Sequence, residues 1–291
     1  MIKGNILCVI DVYNWAMHNR FLALKKYLGN EYSFDVILAS DLQRDHFKLY
    51  NIVYCLNWVL HKNIANLLPS PDKRTFKLVT TVCSHRTRNN PAELAEVFKH
   101  YDKISASSAF LFKELKPLYN SKMIYTPFGV DNTVFKKDTP NDLYSNKFGF
   151  VGKTNRPLKR FSEVNEAVNG SGAILKVVNH KSNFDRQQMV KFYNSIGTVI
   201  CFSETEGTPN PALEAAACSR AIISTPVGNI PELFGDKYPL SMVTSKAEME
   251  KQISLLMADK KLLNDCGSYL EERIRKDWNW SKMSENFMEL F

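Results

Sequence analysis

Short apolar segments alternate with helical segments along most of the 291-residue chain. In the first half these are, in order, NILCVID, WAMHNRFLALKKYL, FDVILAS, NIVYCLNWVL, FKLVTTVCSH, PAELAEVFKHY, DKISAS, AFLFKELKPLY and KMIYTPF. Buried strands that alternate with helices are typical of a parallel, doubly wound sheet, because the crossover helices cover its faces. The first half is therefore predicted to form a Rossmann-like α/β domain.

A polar, proline-bearing stretch at 136–147, KKDTPNDLYSNK, predicts a linker. A second alternating set follows it: FGFVGK, RFSEVNEAV, AILKVVN, RQQMVKFYNSI, TVICFS, PALEAAACS and AIISTP, with two helical segments between Lys246 and Phe291. Two successive Rossmann-like units imply a cleft between them. Ligands of such sheets bind at the carboxyl ends of the strands.

The composition fits about two soluble domains of roughly 100–150 residues, with 44% hydrophobic residues and a mean hydropathy of −0.27. No apolar run approaches the roughly 20 residues that span a bilayer. The N-terminal MIKGNILCVID predicts a buried strand rather than a signal peptide. The six scattered cysteines have no metal-site spacing and are interpreted as reduced structural thiols of a cytoplasmic protein.

The net charge of +8 is concentrated in the first half. Residues 1–131 hold 17 Lys and Arg against 11 Asp and Glu, a net charge of +6. This asymmetry indicates an anionic partner for the first half, namely nucleic acid, a lipid headgroup or a phosphorylated substrate. A solvated lysine-rich surface is the alternative.

The segment TVICFSETEGTPNPALEAAACS predicts a strand, a loop and a helix. Thr208 or Asn210 is expected to cap this helix, and Pro211 suits its first turn. The unpaired N–H groups and the positive dipole end would then form an anion-binding pocket. Glu206 and Glu214 are expected beside it, where carboxylates repel a bare phosphate but accept hydrogen bonds from sugar hydroxyls. The arrangement suits a nucleotide sugar, while charges that only stabilise the helix dipole are the alternative.

The Glu-x7-Glu pattern formed by Glu206 and Glu214 resembles the signature of retaining GT-B glycosyltransferases of family 4, the group 1 glycosyltransferases. Three further segments are similar to family segments in the same order: YTPFGVDNTVF, GFVGKTNRPLKRFSEVNEAV and WNWSKMSENFMELF. The resemblance covers 125–291 well and is weaker over 1–120. It implies a GT-B fold, two Rossmann-like doubly wound domains that face a cleft.

The resemblance also implies a division of the chain into functional parts. Residues 1–140 would form a small, basic acceptor domain, and residues 141–272 the domain that binds the nucleotide-sugar donor. Residues 273–291 would form a C-terminal helix that returns to the first domain. A Rossmann oxidoreductase is disfavoured, because no G-x-G-x-x-G follows the first strand.

On the donor side, the resemblance implies that Lys153 and Lys159, with Arg160 as a neighbour, hold the diphosphate. Glu214 would bind the ribose hydroxyls, and Glu206 would act catalytically at the transferred sugar or its near phosphate. The remaining residues expected to line this end of the donor are Thr208, Pro209 and Asn210. Exposed surface lysines are the alternative for Lys153 and Lys159.

On the acceptor side, the resemblance places His85 beside the transferred sugar as a second catalytic candidate, with a satisfied loop histidine as the alternative. Arg86 and Arg88 lie near it in sequence and are candidates for an anionic acceptor. Trp15 and His18 follow the first strand, where the fold lines its cleft. For Trp15 a core position is favoured, and for His18 a structural role.

Two departures from the family pattern affect donor fit. The family's Ala-x-Gly-x-Pro after the second glutamate is replaced by ACSRAII, with Ser219 and Ala221. The family's Gly-Gly loop after the first strand is replaced by DVYNWAMHNR. Different groups are therefore expected to meet the donor phosphates there.

The sequence is interpreted as a nucleotide-sugar-dependent retaining glycosyltransferase, with a UDP-sugar favoured and no metal or other cofactor implied. The small basic first domain slightly favours DNA bearing a 5-hydroxymethylated pyrimidine, flipped into the cleft, as the acceptor. Viral DNA-modifying glycosyltransferases share the GT-B fold, and if the protein is viral the cytoplasm would be that of its host. A lipid-linked or cell-envelope glycan is the alternative acceptor. An inactive nucleotide-sugar or nucleic-acid binding module is the second alternative.

Overall fold

A computed structural model describes residues 2–84, 91–179 and 181–291. The chain forms two compact units, one of Met1–Phe128 with Met283–Phe291 and the other of Gly129–Lys282. These limits differ from the domain limits predicted after residues 140 and 272. The reason lies in Val130, whose N–H donates to the Trp278 oxygen and whose oxygen accepts from the Trp280 N–H, at 3.0 and 3.1 Å. These bonds place the segment that follows Phe128 in the second unit.

The first unit is built on a parallel sheet of six strands in the order β2-β1-β3-β4-β5-β6. Its strands and helices are β1 Asn5–Ile10, α1 Ala16–Leu28, β2 Ser33–Leu38, β3 Ile52–Cys55, α2 His61–Ile64, β4 Lys77–Val82, α3 Pro91–Phe98, β5 Lys103–Ala106, α4 Ala109–Tyr119 and β6 Met123–Tyr125. Strand β1 has β2 on one side and β3 on the other. The carboxyl ends of β1 and β3 therefore flank the switch point of this sheet.

The central strands are buried on both faces, as the continuous apolar runs predict. In β1 the side chains from Ile6 to Ile10 are at most 2% exposed, and β3 is buried throughout. The core on one side of the sheet joins these strands to α3 and α4 through side chains such as Phe98, Leu111 and Leu115. Burial of these apolar surfaces is the main stabilisation of the unit.

The second unit contains a parallel sheet of four strands in the order β10-β9-β7-β8. Its elements are β7 Lys147–Val151, α5 Phe161–Gly170, β8 Ile174–Val178, α6 Arg186–Tyr193, β9 Thr198–Cys201, α7 Asn210–Ala217, β10 Ala221–Ser224, α8 Ile230–Phe234, α9 Lys246–Ala258 and α10 Lys260–Lys276. The predicted class, α/β with two doubly wound parallel sheets, is confirmed.

The switch point of the second sheet lies between β7 and β9. Strand β7 pairs with β8 over five positions, but with β9 only through Phe148↔Thr198 and Gly149↔Val199. Beyond these pairs the carboxyl-terminal halves of β7 and β9 are not paired with each other. The loops that follow the two strands therefore border the crevice in which doubly wound sheets bind their ligands.

The C-terminal region differs from the two predicted helical segments. After α10 come two short helices, α11 Trp280–Met283 and α12 Phe287–Leu290. The break between α9 and α10 falls at Asp259, whose carboxylate accepts from the Leu262 N–H at 2.8 Å and caps α10. The break before α11 falls where Asn279 forms a bridge with Val130. Side-chain capping and a tertiary bridge thus interrupt a pattern that is helical by periodicity.

All six cysteine thiols are free. Within the described ranges, no helix is both long enough and apolar enough to cross a membrane.

Candidate functional site

An ion pair lies at the carboxyl end of the second sheet, between the loops that follow β7 and β9. The Nζ of Lys159 donates to Oε1 of Glu206, and the Ser203 hydroxyl donates to the same oxygen at 2.8 Å. The side chains remain 18% and 15% exposed. Two oppositely charged groups are thus held together at the switch point while solvent still reaches them, which leaves both open to a polar ligand.

Backbone and hydroxyl hydrogen bonds fix these loops against each other. The Glu204 N–H donates to the Leu158 oxygen at 2.9 Å, which joins the loop after β9 to the turn that carries Lys159. The Thr225 hydroxyl, after β10, donates to the Ser203 oxygen at 2.6 Å. The ion pair therefore rests on three connected loops.

The turn from Gly207 to Pro209 packs closely on the loop that follows β10. The Thr208 hydroxyl donates to the Asn229 side-chain oxygen at 2.7 Å. Gly228 has a φ of +55°, and a Cβ at this position would lie 2.4 Å from the Gly207 oxygen. Only glycine satisfies both the backbone angle and the close approach.

The start of α7 differs from its sequence-based prediction. Pro209 is the N-cap residue and no side chain caps the helix, so the prediction that Thr208 or Asn210 does so is wrong. The Thr208 hydroxyl bonds to Asn229 instead, and the Asn210 N–H donates to the Thr208 oxygen at 2.9 Å. Pro211 lies in the first turn as predicted.

The pocket of free N–H groups predicted at this helix end is also not found. The Ala212 N–H donates to the Pro209 oxygen at 2.8 Å, the Asn210 N–H is bonded as described, and Pro211 has none. These N–H groups are therefore not free to bind an anion.

Glu214 lies on α7 beside a tyrosine of α6. The Tyr193 hydroxyl donates to Oε2 of Glu214 at 2.7 Å, and Tyr193 is fully buried. Removal from water raises the pKa of the Glu214 carboxyl to about 7, although the Tyr193 hydrogen bond and the charge of Arg186 act in the opposite direction. Glu214 therefore changes its charge near neutral pH.

Arg186, the first residue of α6, connects this pair to the segment after β6. Its Nη2 lies 3.6 Å from Oδ2 of Asp131, and its guanidinium lies over the Phe135 ring. Asp131 is buried and accepts from the Thr133 hydroxyl at 2.6 Å. Sequence reasoning missed Tyr193 and Arg186, since nothing local marks a tyrosine or an arginine of α6 as a neighbour of Glu214. Asp131 belongs to the family-like segment YTPFGVDNTVF, so the sequence could have indicated it as a candidate.

The two remaining basic candidates have different surroundings. Lys153 follows β7 and is exposed. Arg160 has a left-handed backbone, with φ 49° and ψ 39°, and its Nε and Nη2 donate to the two oxygens of Glu163 at 2.6 Å. Its guanidinium also lies 4.0 Å from the centre of the Phe202 ring. Arg160 is thus engaged with its own helix, while Lys159 contacts Glu206.

Residues 173–273 match the family model described as "Glycosyl transferases group 1". The matched segment lies within the second unit and contains both Glu206 and Glu214. A search of the curated proteins found no match.

Solved structures resemble the chain over nearly its whole length. Sucrose-phosphate synthase from Thermosynechococcus elongatus has a TM-score of 0.75 at 12% identity, covering 99% of this chain and 98% of its own. HepE from Anabaena, in complex with UDP and glucose, has a TM-score of 0.74 at 12% identity and 99% coverage of both chains. A glycosyltransferase from Rickettsia africae has a TM-score of 0.68 at 14% identity, covering 99% and 97%. The fold is GT-B.

In this GT-B chain the acceptor-side candidates fall on the first unit. His85, Arg86 and Arg88 lie outside the described residues. Trp15 is 49% exposed, so its predicted core position is wrong. It is the N-cap residue of α1 and has an extended backbone conformation, so it lies just before the helix.

His18 packs within the loop that precedes it and its own helix. Its Nδ1 accepts from the Asn14 N–H at 3.2 Å, and its ring contacts Tyr13 edge-on and stacks near Phe21. Burial lowers the pKa of His18. These contacts fit the structural role that the sequence favoured.

Among the residues that the structure describes, no group of three or more His, Cys, Asp or Glu side chains is arranged to hold a metal ion. That the chain needs no metal stays a prediction.

Proposed function

We propose that the protein is a glycosyltransferase that uses a nucleotide-sugar donor, with a UDP-sugar in first place. The observation that carries the proposal is the Lys159–Glu206 ion pair at the switch point of the second sheet, with Glu214 on the adjoining helix. Both glutamates lie in the segment that matches the group 1 glycosyltransferases. UDP is favoured because HepE, a structure of the same fold, was solved with UDP and glucose.

The proposed roles follow from charge and position. Lys159 and Lys153 neutralise the charge that develops on the leaving diphosphate. Glu206, next to Lys159, accepts hydrogen bonds from the transferred sugar. Glu214 accepts from the ribose hydroxyls, and Tyr193 holds its carboxyl in place. Lys159 then exchanges part of its contact with Glu206 for the donor phosphate, so the ion pair keeps both side chains positioned before the donor binds.

We further propose that transfer retains the anomeric configuration and requires no metal. The acceptor hydroxyl attacks from the face on which the diphosphate leaves, and the lysines take the place that a divalent cation has in metal-dependent transferases. Retention rests on the resemblance of the Glu-x7-Glu segment to retaining enzymes.

The proposed acceptor is DNA that bears a 5-hydroxymethylated pyrimidine. The basic character of residues 1–131, with a net charge of +6, supports a polyanionic acceptor. A flipped base would present its hydroxymethyl group to the donor. A lipid-linked or envelope glycan is the competing acceptor.

The test is a transfer assay with hydroxymethylcytosine-containing DNA and, in parallel, unmodified DNA, each with a panel of UDP- and GDP-sugars. The DNA is digested and its nucleosides are weighed by mass spectrometry. A hexose or pentose mass gain confined to the modified DNA is expected. Donor hydrolysis without modified nucleosides would retain the transferase and reject the DNA acceptor. No turnover of any donor would contradict the proposal.

A further inference from the structure

Arg20 of α1 is a buried cation at the carboxyl edge of the first sheet. The residue is 6% exposed. Its Nη1 donates at 2.7 Å to the oxygen of Leu56, which directly follows β3, and its Nη2 donates to the Cys83 sulfur at 3.4 Å, just after β4. The guanidinium carbon lies 3.7 Å from the centre of the Phe128 ring. Arg20 thus reaches from its helix to the ends of two neighbouring strands.

The charge of Arg20 has no carboxylate partner within the described ranges. Its contacts are a carbonyl oxygen, a thiol, an aromatic face and, at 3.5 Å, the Tyr54 hydroxyl. The segment 85–90, which follows Cys83 and Ser84 in the sequence, reads HRTRNN and contains no Asp or Glu. A buried charge without a counter-charge is strongly disfavoured, and proteins normally pair it or use it to bind an ion.

One N–H donor of the Arg20 guanidinium also has no hydrogen-bond partner. Nε is buried and has no hydrogen-bond partner, and Nη2 carries a second N–H besides the one directed at Cys83. Nε–H and an N–H of Nη2 form the edge with which arginine binds carboxylate and phosphoryl groups through two parallel hydrogen bonds. The unsatisfied donor therefore belongs to an anion-binding edge.

The position of Arg20 in the fold agrees with anion binding. In the first sheet the order reverses at β1, so the crevice outside the carboxyl ends of β1 and β3 is where a ligand is expected. Leu56, the residue that accepts from Arg20, lies at the end of β3. The guanidinium thus lies at the carboxyl ends of β3 and β4, and β3 is one of the two strands that flank the switch point.

We propose that Arg20 forms a binding site for one phosphoryl or carboxylate group at the carboxyl ends of β3 and β4, beside the switch point of the first sheet, with the Cys83 thiol at its margin. The anion supplies the missing counter-charge and accepts from Nε and Nη2. The site is formed by residues of the first unit, whereas the proposed donor residues belong to the second, and its existence does not depend on the transferase activity proposed above.

The thiol provides a local readout, because Cys83 is half-buried and lies within contact of Arg20. The alkylation rate of Cys83 by uncharged iodoacetamide is measured by peptide mass spectrometry on the full chain. Sodium phosphate and sodium acetate are titrated separately, with sodium chloride holding the ionic strength constant. The wild type is compared with Arg20→Met, with Arg20→Lys and with Lys25→Met, an exposed cation on the same helix.

Saturable protection of Cys83 is expected in the wild type and in Lys25→Met. At ten times the half-saturating anion concentration the rate should fall about tenfold by mass action. Arg20→Met should lose the protection, and Arg20→Lys, which keeps the charge but not the two-donor edge, should raise the half-saturating concentration at least about tenfold. If phosphate has the lower half-saturating concentration, the site prefers a phosphoryl group; if acetate has the lower one, it prefers a carboxylate.

The proposal is overturned if neither anion protects Cys83, or if sodium chloride alone protects it equally well. Equal protection in folded Arg20→Met would also overturn it. If Arg20→Met does not fold, as judged by circular dichroism, Arg20→Lys still decides the matter, because unchanged half-saturation in that variant would show that Arg20 does not bind the anion.

Discussion

At the scale of single residues, the surroundings of Glu214 decide its charge. The residue follows the buried Ala212 and Leu213 on α7, and its carboxyl accepts from the buried Tyr193. Desolvation disfavours the ionised form, whereas the hydrogen bond favours it. Desolvation is the larger effect and leaves the pKa at about 7. A ligand that hydrogen-bonds this carboxylate would lower the pKa again.

This pKa predicts a pH-dependent stability. Between pH 4.5 and 7 the folded protein holds a proton on Glu214 that the unfolded chain has released, so stability falls as pH rises through this window. From pH 5 to pH 8 the wild type should lose roughly 2–3 kcal/mol relative to Glu214→Gln. Urea unfolding at both pH values measures the difference. Glu204→Gln, at an exposed position nearby, should show the same pH dependence of unfolding free energy as the wild type. If the pH dependence of Glu214→Gln also matches that of the wild type, the raised pKa of Glu214 is contradicted.

Ser219 shows how a departure from the family pattern is accommodated. The pattern has glycine after the helix, and Ser219 occupies the left-handed region with a φ of +61°. The Arg220 side chain that follows is buried and donates to backbone oxygens of Ile196, Cys218 and Thr139. These bonds hold the loop, so a non-glycine residue is kept in a backbone conformation that is otherwise disfavoured.

At the scale of elements, the loops after β7, β9 and β10 form the site, and close packing fixes their geometry. The backbone of Gly228 touches that of Gly207 so closely that a side chain has no room. The position of Thr208 depends on this contact through its bond to Asn229. The geometry of the turn is therefore set by the neighbouring loop rather than by its own sequence.

Gly228→Ala is expected to destabilise the protein and displace this turn. The added Cβ would lie 2.4 Å from the Gly207 oxygen, at a φ that disfavours alanine. A loss of about 2–4 kcal/mol in the free energy of unfolding is expected from strain and overpacking. Gly170→Ala is the matched control, because no atom lies within 4 Å of its added Cβ. Equal unfolding free energies for the two variants would show that the Gly207–Pro209 turn can move to accommodate the Cβ without loss of stability.

At the scale of the whole molecule, local patterning predicted the two parallel sheets and nearly every strand. Periodicity and apolar runs report which residues are buried, and burial decides strands such as β1 and β9. The site was predicted only as a set of residues. Lys159 and Glu206 are 47 positions apart, and Tyr193 and Glu214 are 21 apart. Their pairing depends on strand order and loop packing, which no local pattern contains.

The C-terminal residues pack into the core of the first unit. Met283–Phe291 belong to the first unit, where Phe287 is fully buried near Phe128 and Tyr54. Phe287→Ala should cost about 3–5 kcal/mol of unfolding free energy through the cavity it leaves. Met288→Ala, at a position 39% exposed, should cost less than about 1 kcal/mol. Similar losses in urea unfolding for both variants would argue against this packing.

The second unit is proposed to bind a nucleotide-sugar donor through Lys159, Glu206 and Glu214. The most direct measurement is isothermal titration of the protein with UDP, and with GDP in parallel. One nucleoside diphosphate should bind the wild type and Glu204→Gln equally, and Lys159→Met and Glu214→Ala should each weaken it at least about tenfold. If neither UDP nor GDP binds the wild type, or if folded Lys159→Met and Glu214→Ala bind with wild-type affinity, the proposed donor site is contradicted.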